Sequence, residues 1–296
     1  MVEKLVNQEG REEELNKTWV GEYLRWGSVD EVFRRNKYNL PISYPGFQRL
    51  LGKWGIVKAA GPNTRLSEAL AFFTRLTNEK IPLERLYKDM PPSFRTSMGT
   101  LHRILSYVRS ETIRRVGTAL VITPEERPQI ILAGNDVSTP RLDVGKPFGS
   151  ISLPMGYSRR TESHETSILR VLQQEVFTKQ AINKNLPLGE LVNEPKPFMF
   201  VDIADVRVAV YHLSLPARLS GPSNFSSFKI TNHRFIHLSQ IVKGQANEPF
   251  RVGIKEIGLG YQKFLEEPAQ DFTLNPIFTK SLLNLTLLEL VIDYAL

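Results

Sequence analysis

Glu162, Arg170 and Glu175 stand in one stretch at spacings that can do chemistry. Residues 152–178 read SLPMGYSRRTESHETSILRVLQQEVFT. An apolar segment, Ile151 to Leu153, runs into Pro154 and Gly156, and a polar loop follows. Ile168, Leu169, Leu172 and Val176 then recur at spacings of three and four, which places them on one helix face. Thr166 and Ser167 are the expected caps of that helix. A strand, a glycine-bearing loop and a helix in this order make a platform for phosphate chemistry. Loop amides and helix N-termini attract anions, and helix carboxylates can hold a divalent cation.

The order Gly156, five residues, Glu162, seven residues, Arg170, then Leu172 and Glu175 resembles the box of the Nudix hydrolases. Leu153-Pro154 resembles the family's lead-in. The resemblance implies an α/β/α sandwich over about half of the chain. It also implies metal-dependent cleavage of pyrophosphate bonds, with three helix carboxylates holding Mg²⁺ as cofactor. This chain departs at Val171, Gln174 and Phe177, where the family has two of those carboxylates and a closing glycine. Glu175 is the remaining candidate metal ligand and catalytic carboxylate. Glu162 joins it as a candidate, and Arg170 is implied as the brace of the box against Glu162. Glu248 and Glu256 are candidates, by position, for a further carboxylate. Arg207, His233, Arg234 and Arg251 could serve an anionic ligand.

The wider composition is that of a soluble globular protein: 296 residues, 41% hydrophobic and 23% charged. With no cysteine, disulfides, thiolate metal sites and thiol catalysis are excluded. The charged opening (Glu3, Lys4, Glu9, Arg11, Glu12) lacks the apolar core of a signal peptide. No apolar run reaches the roughly 18 residues of a membrane span. A cytoplasmic location is expected.

Charge is unevenly spread. Residues 20–115 hold 17 basic and 8 acidic side chains, a net of +9, whereas residues 116–296 hold 18 of each. Such a confined excess is the footprint of a nucleic-acid-binding region beside a neutral domain. After a polar arm at 1–19, residues 20–66 resemble a helix-turn-helix. Ser28 caps one helix there. Ser43 caps another, which runs from Tyr44 to Trp54 with Phe47, Leu50, Leu51 and Trp54 on its apolar stripe. Ser43, Tyr44, Gln48, Arg49 and Lys53 are the candidate DNA-reading residues of this unit. Residues 67–115 resemble a winged helix, with Thr96, Thr100 and Arg103 on the open face of a helix, Arg95 just ahead of it, and Arg114 and Arg115 near the wing. Double-stranded DNA is the partner these features imply.

The expected fold class is α+β: N-terminal all-α helix-turn-helix and winged-helix modules, followed by a Nudix-like α/β/α sandwich at 116–268. Strands are expected at Val116–Ile122, Gln129–Leu132, Ser150–Leu153, Phe198–Val201, Val206–Leu213 and Phe235–Leu238. A helix is expected at Ile254–Leu265, though Gly258 and Gly260 weaken it. Residues 269–296 form a closing helix that suits a homodimer. The leading reading is a DNA-binding regulator whose Nudix-like domain senses a nucleotide or phosphosugar, or mediates dimerisation, with little or no catalysis. The alternative is a metal-dependent Nudix hydrolase of nucleoside diphosphate derivatives. An inert scaffold is the third.

Overall fold

The computed structural model describes residues 2–60, 106, 110, 113, 115–139, 146–186 and 195–288, with side chains from residue 10 to residue 285. Three helices open the chain: α1 (Val2–Trp26), α2 (Val29–Arg35) and α3 (Tyr44–Lys53). Strands β1 (Arg115–Pro124), β2 (Ile130–Asp136), β3 (Ile151–Ser152) and β4 (Met155–Ser158) lead to α4 (His164–Val171). A π-helical turn, Leu172–Val176, continues α4, and α5 (Thr178–Ile182) follows. Then come β5 (Met199–Ile203), β6 (Val206–Leu215), β7 (Ile230–His237), α6 (Leu238–Lys243), α7 (Ile254–Glu266), β8 (Ile277–Lys280) and α8 (Leu282–Leu288).

The strands form two sheets, a five-stranded one in the order β4-β1-β6-β5-β8 and a three-stranded one in the order β3-β2-β7. β1 and β6 are parallel neighbours from Arg115 opposite Val206 to Pro124 opposite Leu215. β4 pairs antiparallel with β1, and β5 antiparallel with β6. Alternation along β1 sends side chains to both faces. Ala119 and Val121 join a core with α6 and α7, while Leu120 and Ile122 join a second core with Ile168, Leu172 and Val176 of the box helix. Burial on both faces is why this strand reads as a continuous apolar run.

α7 crosses both of its glycines. A Cβ at Gly258 would lie 2.7 Å from Ile241, and one at Gly260 would lie 2.3 Å from the sulfur of Met199. Both glycines serve close packing here, which outweighs their weak helix propensity. Ser28 and Ser43 cap α2 and α3, each accepting from the backbone N–H three residues on.

Several expectations are corrected. Residues 2–19 belong to one helix that runs from Val2 to Trp26. Gly156 lies in strand β4, aligned on β1, and the loop occupies residues 159–163. The sheet does not end at residue 268: Ile277–Lys280 is an edge strand pairing with β5, so residues 277–280 are not helical. Arg115 is engaged within the sheet. It begins a central strand, donates from Nε to both Asp205 carboxylate oxygens (3.1 and 3.2 Å) and from Nη1 to the Tyr157 hydroxyl (3.1 Å). Arg95, Thr96, Thr100, Arg103 and Arg114 lie outside the described residues. No helix among the described residues is long and apolar enough to cross a membrane.

Candidate functional site

The box helix starts one turn earlier than Thr166 and Ser167 suggest. Ser163 is its N-cap, and its Oγ accepts from the Thr166 N–H at 3.2 Å. After Val171 the backbone widens into the π turn, which Phe177 closes by donating its N–H to the Leu172 carbonyl at 2.7 Å. A π turn displaces the side chains that follow it, and such turns gather at functional sites. Here it buries Gln173, Gln174 and Glu175 together.

Arg170 and Gln173 face the N-terminal helices. Arg170, 3% exposed, forks onto Glu162: Nη1 donates to Oε1 at 2.5 Å and Nη2 to Oε2. Its Nη1 also reaches the Tyr157 carbonyl (3.3 Å), and its Nε donates to the Lys58 carbonyl (2.7 Å). Gln173 donates to the Gly55 carbonyl at 2.8 Å and accepts from the Val57 N–H at 2.9 Å. Trp54 Nε1 donates to the Ile182 carbonyl at 3.0 Å. The box helix is thus clamped to the segment that leaves α3.

Gln174 and Glu175 belong to a buried charge cluster. Glu175 Oε2 accepts from the Met155 N–H at 2.7 Å, and the Glu175 carbonyl contacts His233 Nε2 at 2.8 Å. Burial pushes the Glu175 carboxyl up to about 7, although Lys229 opposes the shift. Lys229, just ahead of β7, donates its ammonium to Gln174 Oε1, and burial lowers its pKa. At the end of β2, Asp136 Oδ1 accepts from the N–H (3.0 Å) and hydroxyl (2.6 Å) of Ser138. Asp136 Oδ2 lies 3.4 Å from Lys146 Nζ and 3.7 Å from Arg251 Nη1. Burial lowers Lys146 to about 8, against the pull of Asp136. Arg251 is held by its backbone, which donates to the Ile151 carbonyl at 2.9 Å.

No family model matches the sequence. No curated protein matches it. Solved structures do show a likeness over about half of the chain. An Ap4A hydrolase binary complex from C. elegans is 17% identical and covers 52% of this chain and 98% of its own, with a TM-score of 0.35. The MutT protein of Methanosarcina mazei Go1 is 14% identical, covering 54% and 99%, with a TM-score of 0.37. An ADP-ribose pyrophosphatase from Streptococcus suis 89-1591 is 14% identical, covering 56% and 96%, with a TM-score of 0.33.

The residues of the box do not fit Mg²⁺. A hard cation needs oxygen ligands, with carboxylates foremost. Val171 is apolar, Gln174 gives its oxygen to an ammonium, Glu162 is taken by Arg170, and Glu175 accepts from a backbone amide. Among the described residues, no group of three or more His, Asp or Glu side chains is placed to hold a metal. The late carboxylates are engaged elsewhere. Glu248 lies 3.6 Å from Arg234, and Glu256 accepts from the Leu282 N–H at 2.7 Å. Arg207 is bonded to Asp202 at 2.8 and 2.9 Å.

On α3, Arg49 and Lys53 are exposed and Tyr44 is 41% exposed, with its ring near Phe33. Ser43 is committed to its cap, and Gln48 is half-buried. The sequence reading missed Lys146, Lys229, Asp136 and the double role of Gln173. Lys229 lies 54 positions beyond Glu175, and no spacing rule ties a lone lysine to a helix that far away.

Proposed function

We propose that the two-sheet region is a Nudix-like domain that binds a phosphorylated small ligand of nucleotide or phosphosugar type without hydrolysing it. One observation carries this reading. The box keeps its Arg170–Glu162 brace, yet a lysine ammonium sits on Gln174, where a metal carboxylate would be needed. The scaffold of a phosphate site remains, and its hydrolytic metal ligands do not. The test is hydrolysis of nucleoside di- and triphosphate derivatives by the full-length protein with Mg²⁺ and then Mn²⁺, with Glu175→Gln as control. The expected result is no turnover above the control, together with a ligand-dependent rise in Tm. Turnover that Glu175→Gln abolishes would establish the pyrophosphohydrolase reading instead.

A second reading concerns the N-terminal helices. Arg49, Lys53 and Tyr44 project from α3 within the stretch of net charge +9, which supports duplex DNA as a partner and a regulatory role. Ligand state would reach these helices through Arg170 and Gln173. Failure to retain any duplex at low salt would remove this reading while leaving the first intact.

A further inference from the structure

We propose that Lys146, Lys229 and Arg251 form a metal-independent oxyanion site that takes a phosphoryl group directly. The inference rests on the reading that the domain binds a phosphorylated ligand, and it names the seat of that group.

The cluster has more positive charge than its carboxylates balance. Three cations face two buried acids, Asp136 and Glu175. Asp136 is shared by two of the cations at 3.4 and 3.7 Å, longer than the roughly 2.7–2.9 Å of a charge-assisted hydrogen bond. Lys229 is bonded to a neutral amide oxygen, and Glu175, whose charge acts on it, is pushed by burial toward its protonated form.

The cluster is also short of acceptors. Gln174 Nε2 and Arg251 Nε are buried N–H groups with no hydrogen-bond partner. Gln174 is 6% exposed, and its carbonyl oxygen is the atom that meets Lys229. Unpaired buried donors are rare because each forfeits its hydration. Each of these deficits calls for negative charge and oxygen lone pairs. A phosphoryl group supplies both. A divalent cation supplies neither and would add its charge to three cations already present.

The backbone fixes these groups independently of a ligand. Asp136 ends β2, Lys229 precedes β7, and Arg251 is hydrogen-bonded to β3, so all three strands of the smaller sheet contribute. Gln174 enters from the π turn of the box helix.

The experiment is calorimetric titration of the full-length protein with inorganic phosphate, pyrophosphate and ADP, each in EDTA and in excess Mg²⁺. Pyrophosphate or ADP is expected to bind in EDTA and to raise Tm there. Lys229→Met and Arg251→Gln should each weaken that binding by about tenfold or more, as expected for loss of a charged hydrogen bond. Lys229→Met removes a buried charge at similar volume, and Arg251→Gln provides the independent check. Inorganic phosphate binding as tightly as ADP would assign the site to the free ion, and tighter binding of ADP would assign it to a phosphorylated metabolite. Either result supports the site. Binding that requires Mg²⁺ would overturn the oxyanion site and leave the ligand-binding reading standing. Unchanged affinity in the folded variants would do the same. Absence of binding by all three probes under both conditions would overturn both.

Discussion

Gln173 and Val57 meet across 2.9 Å, with the Gln173 Oε1 accepting the Val57 N–H while its Nε2 holds the Gly55 carbonyl. One side-chain amide thereby closes two backbone groups of the segment after α3. Its neighbour Gln174 faces the charge cluster. Adjacent residues of one π turn serve the helical region and the candidate ligand site.

Gln173→Ala should therefore destabilise the protein by about 1–2 kcal/mol, because two part-buried backbone groups lose their side-chain partner. Urea denaturation followed by circular dichroism measures it. A change below about 0.5 kcal/mol would show that water replaces the amide at no cost.

Breaking the Arg170–Glu162 pair should be more damaging. Side-chain exposures of 4% and 9% put both ions out of water. Arg170→Met strands Glu162 and frees the Lys58 carbonyl, with an expected loss of about 3–5 kcal/mol. The Arg170→Met, Glu162→Leu double variant should recover part of it. An equal or larger loss in the double variant would mean that the pair itself, rather than the stranded charge, carries the stability.

Stability should depend on pH through Glu175. Its carboxyl lies near 7 in the folded protein against an ordinary 4.5, so the folded state holds a proton that the unfolded state releases. Its contribution is full below about 4.5 and is lost as pH rises through about 7. The loss is on the order of 3 kcal/mol before neighbouring cations adjust. Lys146 acts in the opposite sense at higher pH. Its folded value near 8 lies below the ordinary 10.5, so its contribution is regained between those values as pH rises. Glu175→Gln should flatten the acidic-side slope. Melting curves from pH 4 to 8, roughly the window of these shifts, would show it. A slope unchanged by the substitution would assign the effect to another group.

Added Mg²⁺ should leave Tm unchanged in the absence of nucleotide, since binding to the folded state alone would raise it. A rise that disappears in Glu175→Gln would show that Glu175 is a metal ligand after all.

Duplex DNA binding should respond to α3. Replacing Arg49 and Lys53 by Ala should weaken binding and reduce the log–log salt slope by about 2, near 0.9 for each phosphate that is no longer neutralised. Fluorescence anisotropy across a salt series measures both. A slope that does not change would place the DNA-neutralising cations elsewhere in the chain.

The local elements were legible in the sequence where short-range physics sets them. Ser28 and Ser43 as caps, the stripe Phe47–Leu50–Leu51, and the apolar runs of β1 and β6 all follow from hydrogen-bonding reach and periodicity within a few residues. The Gly156–Glu162–Arg170 spacing likewise pointed to the brace residues. Other features depend on distant chain. Gly258 and Gly260 read as helix weakeners, but the neighbours Ile241 and Met199 make their missing Cβ necessary. Arg115 read as a cation near a DNA-binding wing, and its partner in the fold is Asp205, 90 positions away. Ile277–Lys280 read as helix until an open edge of the sheet took it as a strand.

The sequence by itself determined that Val171 and Gln174 offer no carboxylate beside Glu175, because that is a matter of residue identity. Only the tertiary structure decided what surrounds them. Lys146, Lys229 and Arg251 come from separate segments, and their charge has chemical meaning once β2, β3 and β7 bring them beside the box helix. Electrostatic energy depends on distance and burial, and neither is written in the order of residues along the chain.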